Sequence, residues 1–227
     1  MTAAIVSPDD TLGALRRIPT QTLIDALWVK GWPMSYVEGA RPLQLGQRMA
    51  GRAVTLRFVP HRPDLANDKP KGEDSPEYVA IELCGPGEVL VIAGNGLPGW
   101  AAGENQINHS IQYGLTAWVT DLRMRDVGEI REMGFPVICN GATPETFDQE
   151  IVGMNVPVYV AGAQVRGGDI IVADDDGAVV IPIEAFNQVM VNVRDMAEKE
   201  TEQEHLIKSK APLDELLAFL ATKGRAL

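Results

Sequence analysis

The sequence has few cysteines and no segment typical of export or membrane insertion. Its two cysteines, Cys84 and Cys139, lie far apart without CxxC spacing, which favours reduced, buried thiols over a disulfide framework. Residues 1–10 lack the basic and apolar stretches of a secretion signal, and no run approaches the ~20 apolar residues of a membrane span. We therefore expect a cytoplasmic protein with no membrane partner.

Basic residues are outnumbered as well. The chain has 20 Lys and Arg against 31 Asp and Glu, which gives a net charge of −11. That balance is unfavourable for binding a phosphate backbone, so we expect no nucleic-acid partner. Glu198, Glu200, Glu202 and Glu204 crowd one late segment, a pattern typical of a solvated helical face.

Several common catalytic motifs are missing. There is no G-x-S-x-G, Walker loop, HExxH or His/Cys cluster, so serine hydrolysis, P-loop chemistry and a typical zinc site lack support. Residues 94–99, GNGLPG, fit the bare G-x-G-x-x-G expression. Pro98 and Gly99 interrupt the helix that should begin there, which argues against dinucleotide binding.

The sequence does contain enough apolar material for a sizeable core. Hydrophobic residues make up 45% of the 227 positions and charged residues 22%, ordinary values for one globular domain, here expected over residues 1–227. Patterning predicts helices over 20–30, 102–113, 127–133 and 183–208, a short one from 213, and thus a helical segment over about 183–227. It predicts strands over 52–60, 88–93, 116–120, 136–139, 156–160, 170–173 and 178–181.

Details of these elements can also be predicted. Thr20 is expected to be the N-cap of the first helix, whose apolar face would carry Leu23, Ile24, Leu27 and Trp28. The apolar face of the late helix would carry Phe186, Val189, Met190 and Val193. Residues 64–75 are predicted to form an exposed loop, and the acidic turn before Gly177 predicts a hairpin.

Two segments that follow strand ends contain the candidate chemistry. Residues 94–104 and 121–126 each come after a buried strand, where loops commonly build ligand sites. Asp126 can hold a hard divalent ion through oxygen, and Arg125 can bind a carboxylate with its planar fork. Asp121 and Glu104 add acidic groups nearby. The alternative, of equal weight on pattern alone, is that Arg125 and Asp126 cap the next helix and pair on the surface.

The stretch GLTAWVTDLRMRDVGEIREMGFPVICNGATP, followed by NVPVYVAGAQVRGGDIIVADDDGAVVIP, resembles a known family. This family contains the regulator of ribonuclease activity A and the class II 4-hydroxy-4-methyl-2-oxoglutarate/4-carboxy-4-hydroxy-2-oxoadipate aldolases. The early TLIDAL and RPLQLGQRMAGRAVTL are also similar to its N-terminal part. The resemblance implies an α/β fold, an RraA-like swivelling β/β/α core with flanking helices. It also implies a homotrimer or hexamer with active sites between subunits.

The resemblance assigns roles to individual residues. It implies that Asp126 binds Mg²⁺ or Mn²⁺, and that Arg125 holds the pyruvyl carboxylate of a small 2-oxo acid and stabilises its enolate. Backbone amides of the Gly103–Gln106 loop would bind the same carboxylate, with Glu104 as a nearby acidic group. A C-terminal acidic residue would reach the neighbouring subunit's site, and Glu200 is the best match.

The sequence departs from the family pattern at a few positions. Leu122 stands where the family usually has glycine after the first aspartate, and Asn105 and Gln106 stand where it usually has leucines. Contacts through backbone nitrogen tolerate such changes, whereas the fit of the substrate depends on them. Trp100 and His109 flank the same loop and are candidates to shape a different pocket, or simply to pack.

Three functions follow as hypotheses. The first is metal-dependent aldol cleavage of a 4-hydroxy-2-oxo acid to pyruvate by a carbon–carbon lyase, with oxaloacetate decarboxylation as a related activity. The second is a non-catalytic protein that binds and regulates ribonuclease E. The third, methyl transfer to a menaquinone precursor, is rejected because the sequence has no methyl-donor motif. Arg125, Asp126 and Glu104 together favour the enzyme.

Overall fold

A computed structural model describes residues 8–29, 31–33, 35–64, 76–146 and 149–223. The helices are α1 (Pro8–Leu15), α2 (Thr20–Trp28), α3 (Pro76–Leu83), α4 (Glu104–Gln112), α5 (Val127–Met133), α6 (Phe186–Lys208) and α7 (Leu213–Ala221). The strands are β1 (Arg41–Pro42), β2 (Met49–Pro60), β3 (Val89–Ala93), β4 (Trp100–Ala102), β5 (Ala117–Thr120), β6 (Arg123–Met124), β7 (Val137–Cys139), β8 (Gln149–Met154), β9 (Val158–Val160), β10 (Ala163–Val165), β11 (Ile170–Asp174) and β12 (Gly177–Ile181).

An eight-stranded mixed sheet forms the centre of the α/β fold. Its order is β1-β7-β5-β3-β2-β11-β12, and β8 also pairs with β2. Strands β2, β3, β5 and β7 are parallel, so their carboxyl ends lie at one edge. The two ends of the sheet approach each other where the Val37 N–H donates to the Ala178 carbonyl, which nearly closes the sheet into a barrel.

Alternation along the buried strands supplies two apolar layers. Leu90 and Ile92 of β3 point into a core with Trp118, which α3, α4 and α5 cover. Val89 and Val91 point to the opposite face and pack inside the curved sheet. Since all five residues of β3 are buried, the strand is a continuous apolar run, as expected for a parallel strand covered on both faces.

A third apolar cluster lies where α2 and α6 cover β11 and β12. Leu23 and Leu27 of α2 are buried there with Val189 and Val193 of α6, which confirms both predicted apolar faces in the main. The prediction for Trp28 was wrong, because its side chain is 62% exposed at the end of α2. Ile24, Phe186 and Met190 pack at the edge of the cluster.

The start of α2 differs from the prediction. Its N-cap is Pro19, and Thr20 is the first helical residue. The Thr20 amide and hydroxyl donate to the buried Asp174 carboxylate at 3.0 and 2.7 Å. Asp174 belongs to the predicted acidic hairpin, in which β11 and β12 pair and Asp174 lies opposite Gly177. The hairpin carboxylate therefore satisfies a free amide at the positive end of α2, although it lies 154 residues away.

Other element boundaries differ from the predicted ones where pairing with distant residues determines them. The helix predicted over 102–113 begins only at Glu104, because Trp100–Ala102 is a strand paired with Arg123–Met124. The helix predicted over 183–208 starts with a 3-10 turn, Ile183–Ala185, and becomes α-helical at Phe186. Helix α5 has the predicted bounds. The predicted loop over 64–75 falls, after Asp64, outside the described residues.

Both cysteines are buried and free, as predicted. Burial raises the pKa of the Cys84 thiol to about 12, and it also raises the pKa of Cys139. Across the described ranges, no helix has the length and apolar character required to cross a bilayer.

Candidate active site

The site lies beyond the carboxyl ends of β3 and β5. After β3 the chain turns and enters β4, and after β5 it turns and enters β6. These two short strands pair in parallel, with Trp100 opposite Arg123 and Ala102 opposite Met124. The Arg125 amide then donates to the Ala102 carbonyl at 3.0 Å. This pairing brings the start of α4 against the start of α5.

Asp126 is the residue on which this junction depends. Its backbone is left-handed, with φ 51° and ψ 40°, at the N-cap of α5, yet its side chain forms no capping hydrogen bond. Instead, Asp126 Oδ2 accepts a 3.2 Å hydrogen bond from the Glu104 amide. A Cβ at Gly103 would overlap Oδ2 and lie 3.3 Å from Cγ of Asp126. Only glycine at position 103 leaves room for this carboxylate.

The first turn of α4 supplies backbone donors beside that carboxylate. Gly103 is the N-cap, and its amide donates to Gln106 Oε1 at 3.2 Å. The amides of Asn105 and Gln106 lie in the first turn, where an α-helix offers no internal acceptor. The Gln106 side chain is buried by this capping role, whereas Asn105 is exposed. The departure at 106 therefore stabilises the loop, and the departure at 105 faces solvent.

Arg125 is partly buried, and its guanidinium lies over an aromatic ring. Its Cζ is 4.9 Å from the centroid of Trp100, within the range of a cation–π contact. Within the described part of the chain, no carboxylate lies within ion-pair distance of this guanidinium. The neighbouring Asp126 points to the Glu104 amide instead. The Arg125 charge is therefore available to an anionic ligand.

Asp121 has a structural role, although it lies in the same motif as Arg125 and Asp126. Its two oxygens accept hydrogen bonds from the Gly94 and Asn95 amides, at 2.6 and 2.9 Å. Burial raises the pKa of Asp121, and these amide hydrogen bonds oppose that shift in part. Asp121 therefore joins the chain ends after β3 and β5, and its oxygens are already engaged.

We expect Asp121→Ala to lower the free energy of unfolding by about 2 kcal/mol, because it leaves a buried amide at Gly94 without its acceptor. Denaturant unfolding measures this change. Asp176→Ala is the matched control, since Asp176 is exposed in the acidic turn and should cost less than about 0.5 kcal/mol. A variant at 121 with normal stability but no activity would contradict the structural role and make Asp121 a reactive group.

Leu122, the second departure, fills space next to Gly94. Its side chain is buried in the main core, and a Cβ at residue 94 would lie 2.5 Å from Leu122 Cγ. The absent side chain at 94 thus makes room for the added one at 122. Leu122 packs under the site and adds no polar group to it.

Two predicted contributors do not join this cluster within the chain. His109 faces α3, where it lies 3.3 Å from Glu82 and packs edge-on against Tyr78. It therefore does not shape the pocket. Glu200 is exposed on α6, where it lines a cleft between α2 and α6 that includes Trp28. A contribution of Glu200 to a neighbouring subunit's site stays a prediction.

Sequence reasoning missed two features of the site. It left open whether Trp100 packs or binds, and the ring lies on Arg125. It did not single out Gln149, whose Nε2 donates to the Trp100 carbonyl at 2.5 Å. Gln149 begins a strand that the pattern did not predict, so no local signal could have identified it.

The donor set can be tested against the expected cation. In the ranges that the structure describes, no three His, Cys, Asp or Glu residues are grouped with metal-binding geometry. Asp126 is exposed, and its Oδ1 forms no hydrogen bond or ion pair with a described residue. One free carboxylate suits Mg²⁺ or Mn²⁺, hard cations that keep several waters.

These features define an α/β protein in which Arg125 and Asp126 lie beyond the carboxyl ends of the parallel strands of a mixed sheet. The chain belongs to the RraA-like family (Aldolase/RraA), whose model matches residues 20–180. It is 32% identical over 137 residues to a 4-hydroxy-4-methyl-2-oxoglutarate aldolase of Thermus thermophilus, covering 60% of this chain and 76% of that protein. It is 29% identical over 175 residues to a Halalkalibacterium halodurans protein provisionally named as the same aldolase, covering 76% and 77%.

A solved structure extends this likeness over the whole fold. Streptomyces coelicolor RraAS2, described as an unusual member of the RNase ES inhibitor RraA protein family, superposes with a TM-score of 0.76. It is 30% identical and covers 91% of this chain and 98% of its own. The expected family and fold class are confirmed, and the family includes proteins named as aldolases and proteins named as ribonuclease inhibitors.

Proposed function

We propose that this protein is a class II pyruvate aldolase that cleaves a 4-hydroxy-2-oxo acid to pyruvate and a second carbonyl compound with a divalent cation. One observation carries the proposal: Arg125, which has no ionic partner among the described residues, lies next to Asp126, whose Oδ1 is not engaged by any of them, at the amide-rich start of a helix. Arg125 and Asp126 thus leave one positive and one negative group open to a ligand.

The substrate carboxylate would bind to this positive region. The free amides of Asn105 and Gln106 and the partial positive charge of the α4 N-terminus favour an anion. The Arg125 guanidinium can form two parallel hydrogen bonds to the same carboxylate, which also orients it. Because the amides belong to the backbone, the departures at 105 and 106 leave this part of the site intact.

Asp126 would hold the cation, which when bound would polarise the substrate carbonyl. As the 4-hydroxyl loses its proton and becomes a carbonyl, the C3–C4 bond breaks and its electron pair passes to the pyruvyl half. Arg125 opposes the negative charge that develops there. We assign the hydroxyl proton to the Glu104 carboxylate or to a water beside it. Loss of CO₂ from oxaloacetate develops the same charge, so oxaloacetate decarboxylation is expected as well.

We propose further that the active form is a homotrimer or hexamer in which Glu200 approaches a neighbouring subunit's site. The exposed apolar residues of α7 support this assembly. Helix α7 has no buried residue, and Leu213 and Leu217 are 69% and 56% exposed. Contiguous exposed apolar side chains on a helix are typical of an interface.

The second candidate is a non-catalytic regulator that binds ribonuclease E. The likeness to RraAS2 over 91% of this chain supports it, since that protein is described within a family of RNase ES inhibitors. A surface used only for protein binding does not require an open Arg125 beside a free Asp126 oxygen, so the site favours the enzyme.

Release of pyruvate tests the proposal directly. The purified protein should form pyruvate from at least one member of a panel of 4-hydroxy-2-oxo acids and from oxaloacetate. Activity should vanish with chelator and return with Mg²⁺ or Mn²⁺, because the proposed mechanism depends on a cation held by the Asp126 carboxylate to polarise the substrate carbonyl. Full activity in chelator, with a lysine adduct trapped by borohydride, would replace this mechanism by Schiff-base chemistry. No pyruvate from any substrate, together with inhibition of ribonuclease E, would establish the regulator.

A further inference from the structure

We propose that Trp100 is a positioning residue, whose indole face holds the Arg125 guanidinium with its charge unneutralised and its N–H edges open to the substrate carboxylate. The inference rests on the proposed function, because it concerns the group that binds the pyruvyl carboxylate. It gives a definite role to a residue that the sequence left open between shaping the pocket and packing.

The contact between the two side chains has the right geometry for this task. Cζ of Arg125 lies 4.9 Å from the ring centroid of Trp100. A cation over an aromatic face is attracted by the ring quadrupole, and the attraction strengthens as water is excluded. The π face of the ring carries no oxygen acceptor, so it attracts the charge without accepting hydrogen bonds in the way that a carboxylate does. Trp100 can therefore hold Arg125 without occupying the donors that a carboxylate ligand needs.

A carboxylate partner would hold Arg125 in a different way. It would occupy the planar fork and cancel the charge, so a substrate anion would first have to displace it. Among the described residues no carboxylate lies within 4.0 Å of the guanidinium, and the adjacent Asp126 is turned to the Glu104 amide. The ring is thus the side-chain contact that the structure shows for this charge.

Trp100 is itself fixed by hydrogen bonds on both sides. It begins β4 and pairs with Arg123 of β6, while the Arg123 guanidinium donates to the Pro98 carbonyl. The Trp100 carbonyl accepts the 2.5 Å hydrogen bond from Gln149. Because the Trp100 backbone is held by β6 and by Gln149 of β8, its ring can restrict the rotamers of the long Arg125 side chain. Such restriction before binding lowers the entropy lost when the substrate arrives.

The kinetic test compares Trp100→Leu with Trp100→Phe. We expect kcat/KM for pyruvate formation to fall about tenfold in Trp100→Leu, and to recover to within about threefold of wild type in Trp100→Phe, which restores an aromatic face. Tyr159→Leu is the matched control, because Tyr159 is an aromatic residue of β9 that is 55% exposed and has no role in the proposed site, and this change should leave kcat/KM unchanged. Equal losses in the Leu and Phe variants would overturn the proposal.

A double-mutant cycle separates positioning from packing. In an Arg125→Gln background the ring has no cation to hold, so adding Trp100→Leu should lower kcat/KM by less than about twofold. An additional tenfold loss in that background would mean that Trp100 acts without Arg125, and would contradict the inference.

Fluorescence gives a readout that does not depend on turnover. Titration with pyruvate in the presence of Mg²⁺ should change the tryptophan emission of the wild type and of Trp28→Phe. It should not change the emission of Trp100→Phe, because the pyruvate carboxylate binds the Arg125 guanidinium, which lies over the Trp100 ring. If wild type releases no pyruvate yet shows this response, the proposed reaction fails and the positioning role stands. If wild type is active but the response persists in Trp100→Phe, the reaction stands and the positioning role fails. A wild type with neither response nor activity contradicts both.

Discussion

Gly103→Ala is expected to remove at least 99% of pyruvate formation while the free energy of unfolding changes by less than about 1 kcal/mol. The backbone at Gly103 is extended, with φ −123° and ψ −163°, so alanine can adopt it. The new Cβ overlaps Asp126 Oδ2, and this exposed side chain can rotate away at little cost. Rotation breaks the hydrogen bond to the Glu104 amide and misplaces the carboxylate. A misplacement of about 1 Å can cost 10²-fold in rate.

Gly128→Ala is the matched control for this experiment. Gly128 lies in α5, two residues after Asp126, and a Cβ there would meet no heavy atom within 4 Å. Alanine should raise helix stability by about 0.5–1 kcal/mol and leave activity unchanged. Pyruvate release and denaturant unfolding, measured on both variants, give the comparison. Equal activity of the two variants would show that the reaction does not depend on the position of the Asp126 carboxylate.

Asp126→Asn and Arg125→Lys should differ in metal affinity. Asparagine keeps the shape of residue 126 but lacks the anionic oxygen that a hard cation prefers, so metal affinity and turnover should fall together. Lysine at 125 keeps the charge but loses the planar fork, so metal affinity should persist. Its kcat/KM should drop at least roughly tenfold, about 1.4 kcal/mol of transition-state stabilisation. Calorimetric titration with Mg²⁺ or Mn²⁺ and pyruvate release measure the two effects.

Glu129→Gln is the control for charge alone, because Glu129 is an exposed acid in the first turn of α5. It should leave metal affinity and turnover unchanged. If Asp126 and Arg125 served only as a helix cap and its surface partner, both substitutions would shift stability by about 1 kcal/mol with normal kinetics. The structure argues against that alternative, since the Asp126 side chain forms no capping hydrogen bond and does not pair with Arg125.

Local pattern was sufficient for the elements that bury a regular apolar face. The continuous run at Val89–Ala93 predicts a buried strand within one residue, and the acidic turn before Gly177 predicts the hairpin. Helix Val127–Met133 has the predicted ends. Because the residues around 94 and 121 follow parallel strands, their closeness could also be expected from the sequence alone. These elements depend on neighbours in the chain, which a single sequence displays.

The remaining features depend on partners far away in the chain. Trp100–Ala102 is a strand only because Arg123–Met124 lies beside it, and the sequence around 102 is equally compatible with a helix. Thr20 donates to Asp174 in place of capping its own helix. The contact between Arg125 and Trp100 follows from the same long-range pairing, so residue type alone could not distinguish a binding role from packing.

Leu122 fills the space that a side chain at residue 94 would need, so the side-chain volumes at these two positions are complementary. A relative with a side chain at the position of Gly94 needs a small residue at that of Leu122, and the reverse change empties the space between the two site loops. Exchange of either residue alone therefore creates overlap or a void, whereas a simultaneous exchange conserves volume. The close fit predicts that relatives with glycine at the position of Leu122 have room for a side chain at that of Gly94, so the family's variation at these two positions should be correlated.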